Sequence, residues 1–444
     1  MVFKKSFKGT ILLIVQRSNG DVFLSNTIIQ QLMKELKPSA IDLLVNDDTL
    51  GVAKLLPNIR RIFTFSYRDK KENRFRQEVS ILKKIYKKYD LSINLTASDR
   101  SVLYALMASK NSISAVETDN KKSWWKKIFL KKFYYFDVNK HILLNNLQPL
   151  LLLDIASLDQ QISPLASKLA ISSIALRLKK SGIYNFYIFH PSAQYNYKIY
   201  PKKLRDELLK LLNQLNIPII VTGGKNEIDN EIQKTLPDLN NIHNWIGQTS
   251  MDEYLALSSA SIAYIGMDTL NMHIAAAQNK HIFAIFGPTI LRMWSPWSND
   301  LKISAVTDKP IQTYGNITLF QANMACVACG KAGCNDMHGI SDCLDHIDPL
   351  VIYKEIKKLQ KSGLRTFVTF LCLLVAIVGG KELDHLVSVI GGLFSAPLAL
   401  VFPPLLHLYA GVEKSWCSKV MDIALTIFGV VMGLLATGVA VLSW

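Results

Sequence analysis

The fold is decided by the stretch Ser261-Ile-Ala-Tyr-Ile-Gly-Met-Asp268-Thr269-Leu-Asn-Met-His273-Ile-Ala-Ala-Ala277, followed by Ile282-Phe-Ala-Ile-Phe-Gly287-Pro288-Thr289. A short apolar strand leads into a turn with Asp and Thr, a helix of small residues, and a second apolar strand that ends in Gly-Pro-Thr. Such alternation favours a parallel sheet covered on both faces. Both turns then lie at the carboxyl edge of that sheet, where helix N-termini attract anions. Either turn alone is equally compatible with a helix cap or a strand end, but together they favour a phosphate-bearing ligand.

Charge divides the chain of 444 residues into two parts. The last 81 residues carry four basic and four acidic side chains, so the whole net charge of +16 lies in residues 1–363. A basic part of this kind favours anionic partners. No nucleic-acid-binding module is recognisable, so an anionic membrane surface and phosphorylated sugars are the better predictions. The apolar run Ile11–Val15 is too short for a signal peptide, and the globular part is expected to be cytoplasmic.

The basic part shows two sets of alternating strands and helices. The first set begins with strand 10–15, a turn 16–21 and a helix near 22–36, and continues to a strand at 91–95. A helical linker near 158–181 precedes the second set, whose strands include 186–189, 262–265 and 282–286. The predicted fold is α/β, with two Rossmann-like domains that face a cleft. A single glycine in the first turn is not a dinucleotide-binding fingerprint, which disfavours a nicotinamide dehydrogenase.

Two further segments indicate contact with a membrane. Residues 121–136 interleave lysine pairs with aromatic side chains, a composition suited to an anionic bilayer surface, although an ordinary packed surface is the alternative. The tail holds apolar segments near 367–380, 386–409 and 420–442, and the second is broken by Gly and Pro. Basic residues between 357 and 365 precede the first segment, which predicts that residues 1–363 lie on the cytoplasmic side of the inner membrane.

Four cysteines form a cluster. They are Cys326, Cys329, Cys334 and Cys343. In a cytoplasmic chain this favours a metal site or reduced thiols over disulfides. Because only the first pair has the C-x2-C spacing, structural zinc, an iron–sulfur cluster and free thiols all stay open.

Several motifs, in order, resemble glycosyltransferase family 9, the ADP-heptose:lipopolysaccharide heptosyltransferases. The resemblance covers about residues 9–361 and rests on Asn19-Gly20-Asp21-Val22, His190-Pro-Ser-Ala193, Lys198-Ile-Tyr-Pro201, the block from Asp268 to Ala277, and Phe286-Gly-Pro-Thr289. The cysteine cluster is similar to that of family members with a Cys-rich C-terminal segment. The tail resembles the last membrane segments of amino acid/auxin permease-type transporters. Three spans are too few for a carrier's repeat-built site, so no transport is expected.

The family resemblance implies a GT-B fold and an inverting transfer from a nucleotide diphosphate sugar, without a metal or other cofactor. It implies an acceptor domain over residues 1–160, a nucleotide-sugar domain over 161–361, and it leaves a hydrophobic membrane tail of about three helices over 364–444. Asp21 would be the general base, and Lys198 would neutralise the departing diphosphate. Residues implied to bind the donor are Glu227, Asp268, Thr269, His273, Gly287, Pro288 and Thr289.

The resemblance predicts a heptosyltransferase that acts on a lipopolysaccharide core or related lipid-linked acceptor at the cytoplasmic membrane face. Two departures from the family pattern bear on the donor: Leu270 replaces a small residue, and Tyr200 replaces Trp. They leave open a transferase with another donor, or a nucleotide-sugar epimerase. The tail leaves open a membrane transporter fragment in which the cytosolic part only regulates.

Overall fold

The computed structural model describes residues 7–337 and 339–360, and parts of the tail at 369–370, 389, 391–395, 397–409 and 416–442. The chain forms two compact units, Met1–Ile356 and Lys357–Trp444. The first unit contains two sheets. The predicted boundary between domains at residues 160 and 161 stays a prediction.

The first sheet has six parallel strands in the order β3-β2-β1-β4-β5-β6. The strands are β1 (Thr10–Val15), β2 (Ala40–Asn46), β3 (Ile59–Phe65), β4 (Leu91–Asn94), β5 (Ser112–Val116) and β6 (Lys132–Tyr135). The helices around it are α1 (Asn19–Leu24), α2 (Asn26–Glu35), α3 (Leu50–Ala53), α4 (Tyr67–Ile85), α5 (Asp99–Ala108), α6 (Asn120–Phe129) and α7 (Ile142–Leu152).

Side chains of β1 alternate between two helical layers. Ile11, Leu13 and Val15 join the core that contains α1, α2 and α7. Leu12 and Ile14 join the core that contains α4 and α5. This period of two places α4 and α5 on one face of the sheet. Helix α6 packs beside α5 in a smaller core through Trp125.

The second sheet has the strand order β12-β13-β11-β10-β7-β8-β9, parallel except for the β12–β13 hairpin. The strands are β7 (Tyr187–His190), β8 (Ile219–Val221), β9 (Ile242–Asn244), β10 (Ala263–Met267), β11 (His281–Ile285), β12 (Ile311–Tyr314) and β13 (Ile317–Phe320). The helices are α8 (Lys168–Lys180), α9 (Lys202–Leu212), α10 (Glu227–Lys234), α11 (Met251–Ala260), α12 (Leu270–Ala277), α13 (Leu291–Trp294) and α14 (349–360). Two sheets of this kind confirm the predicted α/β class.

Two predicted helices differ from the structure. The helix expected at 22–36 is two helices that meet at Ser25, and α1 already begins at Asn19, so Asp21 lies inside a helix. The linker expected to be helical from 158 starts as a helix only at Lys168. The Ser167 hydroxyl caps it by accepting from the Ala170 N–H at 3.1 Å, while Leu158 and Ile162 accept hydrogen bonds from side chains of α2.

The described part of the tail contains α15 (Phe402–Tyr409) and α16 (Trp416–Leu442). Two short π-helical stretches, Gly391–Ser395 and Pro397–Val401, precede α15. Ser418–Val439 of α16 is long and apolar enough to cross a membrane, judged by length and composition. The segment predicted at 367–380 lies outside the described residues except for 369 and 370.

Candidate functional site

The first candidate residue, Asp21, is held at the start of α1. Its Oδ2 accepts hydrogen bonds from the Ser18 N–H at 3.2 Å and the Ser18 hydroxyl at 2.7 Å. Its Oδ1 lies 3.0 Å from Nε of Arg17. The residue is 3 % exposed. The carboxylate is therefore fixed in orientation and paired with a cation at the carboxyl end of β1.

Arg17 itself is held by two rings. Its guanidinium carbon lies 4.6 Å from the centre of the Phe136 ring and 5.6 Å from that of Trp294. Phe136 follows the last strand of the first sheet, whereas Trp294 belongs to α13 beside the second sheet. Cation–π contacts of this kind position a guanidinium while leaving its N–H groups free to meet an anion. Sequence reasoning passed over Arg17, and a cation four residues before Asp21 in the same turn was the signal that could have identified it.

In the second sheet, Lys198 and Asp268 form an ion pair. Lys198 Nζ lies 2.7 Å from Asp268 Oδ2, and both side chains are largely buried. Burial by itself would lower the pKa of Lys198, but the negative charge and hydrogen bond of Asp268 outweigh burial and raise that pKa above its ordinary value. The ammonium group is therefore kept charged at the carboxyl edge of the sheet.

His273 lies close enough to Asp21 and Asp268 for both charges to act on its ring. It lies in α12, and a Cβ added at Gly20 of α1 would lie 3.6 Å from His273 Cδ2, so the two helices meet there. Burial lowers the pKa of His273, the charges of Asp268 and Asp21 oppose that shift, and Lys198 reinforces it. Asp21, Lys198, Asp268 and His273 thus share one electrostatic neighbourhood.

The N-terminus of α12 carries Thr269 and Leu270, which directly follow Asp268 in the sequence. Thr269 is the N-cap residue, but its side chain makes no capping hydrogen bond. Its hydroxyl lies 3.4 Å from that of Tyr264. Leu270 is the first helical residue and packs against the core while remaining partly exposed. Because the hydroxyl of Thr269 is not used to cap the helix, the cap explanation for that residue is not supported.

His190 is a residue that the resemblance included only as part of a turn. It ends β7, its Nδ1 lies 3.0 Å from the Thr222 hydroxyl, and Asn271 Nδ2 of α12 lies 3.0 Å from the same nitrogen. Burial lowers its pKa to about 4, against the opposing effects of Asp229 and Thr222. Gly266 allows β10 to approach this residue, because a Cβ there would lie 2.4 Å from the His190 carbonyl oxygen. The neutral ring therefore joins β7, β8 and α12 at the carboxyl edge.

The Gly287-Pro288-Thr289 turn follows β11 at the same edge. A Cβ at Gly287 would lie 3.2 Å from Cγ of Leu344, and the Pro288 carbonyl accepts from the Gly330 N–H at 2.7 Å. Thr289 is buried. The turn is therefore covered by the segment that carries the cysteines.

Glu227 is the exposed first residue of α10, after β8. Two positions later, Asp229 is buried, and a Cβ at Gly223 or Gly224 would lie 2.6 or 2.8 Å from one of its carboxylate oxygens. Glu227 is thus available to a ligand at the carboxyl edge, while Asp229 supports the glycine turn before it. Nothing in the local sequence pattern distinguishes the two carboxylates in this way.

Comparison with known proteins identifies this arrangement. The family model described as "Glycosyltransferase family 9 (heptosyltransferase)" matches residues 79–318, more than half of the chain. The chain belongs to glycosyltransferase family 9. It is therefore a glycosyltransferase, and the predicted family and enzyme class are confirmed.

Similar proteins agree with the family. The lipopolysaccharide heptosyltransferase 3 of Escherichia coli is 25 % identical over 295 residues, which cover 64 % of this chain and 85 % of that protein. The structure of E. coli ADP-heptose lipopolysaccharide heptosyltransferase II aligns with TM-score 0.58 and 18 % identity, over 80 % of this chain and 99 % of that one. A family 9 glycosyltransferase from Veillonella parvula aligns with TM-score 0.61 and 16 % identity, over 79 % and 97 %. These structural likenesses confirm the predicted GT-B fold.

The tail is similar to a different family. The model described as "Transmembrane amino acid transporter protein" matches residues 351–442. The family 9 chain thus continues into a segment that resembles part of a transporter, as its sequence predicts.

The cysteine cluster lies beside the donor-side turn. Cys326, Cys329 and Cys334 are exposed, Cys343 is buried, and all four are free thiols. Burial raises the pKa of Cys343 to about 11, and the nearby Cys334, Cys329 and Cys326 add to that rise. Within residues 7–337 and 339–360, no three potential ligands are arranged to hold a metal ion.

Proposed function

We propose that this family 9 enzyme transfers heptose, with inversion, from ADP-heptose to a lipopolysaccharide-core or related lipid-linked acceptor. The observation that carries the proposal is the meeting of α1 and α12. This contact joins a fixed carboxylate, Asp21, to the Lys198–Asp268 ion pair across the two sheets. The names of the relatives, which include ADP-heptose and lipopolysaccharide, support the choice of donor and acceptor.

In the proposed reaction Asp21 accepts the proton of the acceptor hydroxyl while that oxygen forms a bond to the anomeric carbon. The bond from the anomeric carbon to the diphosphate breaks on the opposite face, and ADP leaves with the electron pair. Arg17 and the two Ser18 donors hold the carboxylate in place. Because Asp21 is 3 % exposed, the acceptor hydroxyl reaches it only after the groups that cover the carboxylate move.

Lys198 acts on the leaving group. Its ammonium is held charged by Asp268, so it can meet the negative charge that develops on the departing diphosphate. Thr269 and the N-terminus of α12 bind the diphosphate, Glu227 accepts from the ribose hydroxyls, and His273 lines the pocket. Gly287 and Pro288 form the wall of the donor pocket on the side away from His273, with Thr289 behind them.

The test measures ADP release from ADP-heptose in the presence of Kdo-lipid A. Asp21→Asn should lower the rate by roughly a hundredfold or more, because general-base catalysis contributes that much. Asp47→Asn changes an exposed carboxylate of the same domain and is the matched control. A variant Asp21→Asn that keeps the wild-type rate would remove the proposed base.

A transferase with another donor is the second candidate, and Leu270 favours it. Its side chain is partly exposed at the first position of α12, where the family has a smaller residue and a diphosphate would approach the backbone. Tyr200 no longer supports this candidate, because it is buried and its hydroxyl donates to the Ile347 carbonyl. Thermal-shift measurements with ADP, UDP and GDP separate the two, since a ligand that binds only the folded state raises Tm. Stabilisation by UDP but not by ADP would displace heptose as the sugar.

We further propose that the tail anchors the enzyme in the inner membrane with residues 1–363 on the cytoplasmic side. The apolar helix Ser418–Val439 and the basic residues Lys357, Lys358, Lys361 and Arg365 support this orientation. A lipid-linked acceptor stays in the leaflet, so an anchored enzyme would meet it there.

A further inference from the structure

The outer face of α6 is apolar. Trp124 is 60 % exposed, and Ile128 and Phe129 are each 67 % exposed. Trp124 and Ile128 are four positions apart, so they lie on one side of the helix. Phe129 follows Ile128 as the last residue of the helix. Exposed apolar side chains that cluster in this way mark an interaction surface rather than ordinary exposure.

The inner face of α6 holds the helix to its domain. Lys126 is fully buried, and its Nζ lies 2.6 Å from Glu117 and 2.7 Å from Asp99. Ser123 is buried, and Trp125 packs against a small core formed with α5. The charges of Glu117 and Asp99 are thus occupied by a structural lysine, and α6 is firmly anchored with its apolar side outward.

The neighbouring helices continue this surface. On α5, Leu103 and Met107 are exposed one turn apart. On α4, an open hollow of about 550 Å³ is lined by Phe75, Arg76, Val79, Ser80, Lys83, Lys84 and Lys88. The docking surface, defined as the outer faces of α4, α5 and α6, therefore combines apolar side chains with basic ones.

Exposed lysines surround the apolar part of the docking surface. They are Lys121 and Lys122 at the start of α6 and Lys131 just after it. A two-fold dimer through this surface would set one basic surface against another, and the two sets of lysines would repel each other. An anionic bilayer instead offers phosphates to the lysines and the acyl boundary to Trp124, Ile128 and Phe129.

We propose that the docking surface binds an anionic lipid bilayer, with the outer side of α6 at headgroup depth. This contact is separate from the tail, and it holds one face of the acceptor-side domain against the leaflet. This proposal concerns the same membrane as the proposed function. Its test does not measure sugar transfer, so the docking proposal and the proposed function can fail independently.

The test places a photo-reactive benzoylphenylalanine at position 128 of the full chain, in lipid nanodiscs. With phosphatidylglycerol-containing discs, irradiation should attach lipid at this position, as detected by mass spectrometry. Lys34 on α2 is exposed in the layer on the opposite face of the sheet, and the same probe at position 34 is the control that should capture no lipid. Replacing both Lys122 and Lys131 with Gln should lower the lipid adduct at 128 by at least about fivefold, since one lysine near such a surface contributes about that factor.

Each other result would overturn the proposal. A cross-link from position 128 to a second chain would make the docking surface a dimer interface. A cross-link to residues 364–444 of the same chain would mean that the tail covers it. Equal lipid capture at positions 34 and 128, equal capture in neutral phosphatidylcholine discs, or no lipid adduct would each exclude an anionic bilayer as the occupant.

Discussion

Acid should weaken the contact between the two sheets of the first unit through His141. This residue is the N-cap of α7, and its Nδ1 accepts from the Leu143 N–H at 3.2 Å. Its Nε2 donates to the Ser295 carbonyl oxygen at 2.7 Å, beside α13 of the second sheet. The ring is fully committed as a neutral donor and acceptor, so a second proton on Nδ1 would break the bond to Leu143.

The magnitude follows from the pKa. Burial lowers the pKa of His141 from 6.5 to about 3, against a smaller opposing effect of the Ser295 bond. The folded pKa lies below the unfolded one, so the unfolded chain binds the proton first. The stability that the folded chain gains from the neutral His141 ring is therefore fully present above pH 6.5, and it is lost as the pH falls from 6.5 toward 3. Between pH 7 and pH 5 the linkage relation gives a loss of about 2 kcal/mol in the free energy of unfolding.

The assay is urea unfolding of the full chain in detergent, followed by tryptophan fluorescence, at pH 7 and pH 5. Trp297 lies 5.1 Å from the His141 ring and reports on this contact. His141→Gln should be less stable at pH 7 but should lose about 2 kcal/mol less between the two pH values. His346 is exposed, so His346→Gln is the matched control and should keep the wild-type fall. If His141→Gln falls as steeply as the wild type, the neutral buried ring is the wrong explanation.

Three further predictions concern the site, each measured by ADP release unless stated. Lys198→Met and Asp268→Asn should each lower kcat by roughly 10²–10³-fold. The double variant should lose little more kcat than Lys198→Met alone, because the two side chains act as a unit. Additive losses of kcat would contradict the pairing. Arg17→Met should lower kcat by up to about 10²-fold, because it removes the cation beside the Asp21 carboxylate and misplacement of a catalytic group can cost that much. The KM for the donor should be unchanged; a raised KM alone would contradict a role at Asp21. Leu270→Gly should bind ADP more tightly by calorimetry while Tm falls, since glycine in a helix costs about 1 kcal/mol; weaker binding would show that Leu270 contacts the donor favourably.

The central block of the second sheet was predictable because its chemistry is local. The strands at 262–265 and 282–286 are apolar runs, and Asp268 and Gly287 follow them directly. In a parallel sheet such positions meet at one edge whatever the rest of the chain does. Lys198 was named only through the family resemblance, and its pairing with Asp268 at 2.7 Å is a finding of the structure.

Strand β5 shows why other elements were missed. Its sequence Ser112-Ile-Ser-Ala-Val116 looks too polar for a buried strand, yet it lies inside the first sheet. The Ser114 hydroxyl accepts from Asn94 Nδ2 at 2.8 Å, and the Ser112 hydroxyl lies 3.4 Å from the Lys131 amide. Polar groups paired in this way can be buried at little cost. That pairing joins residues distant in sequence and cannot be read from a local pattern.

The interpretation of the basic aromatic segment 121–136 as one surface stretch was incomplete. The segment is a helix and an edge strand, β6, so half of its pattern serves the fold. Lys126 is buried although it looks like its exposed neighbours, and Trp125 faces inward while Trp124 faces outward. A pair of identical residues is divided between core and surface by helix geometry, which composition does not contain.

The cysteine-rich segment gains its meaning from what it touches. Leu344 lies one residue beyond Cys343 and covers Gly287, while the Gly330 N–H next to Cys329 donates to Pro288. Ile347 of the same segment accepts from Tyr200, two residues after Lys198. The segment therefore braces both the glycine turn and the loop that carries the lysine, whatever the state of its thiols. We expect a change at Tyr200 to act through this brace on the position of Lys198, since the buried Tyr200 ring lies two residues after that lysine.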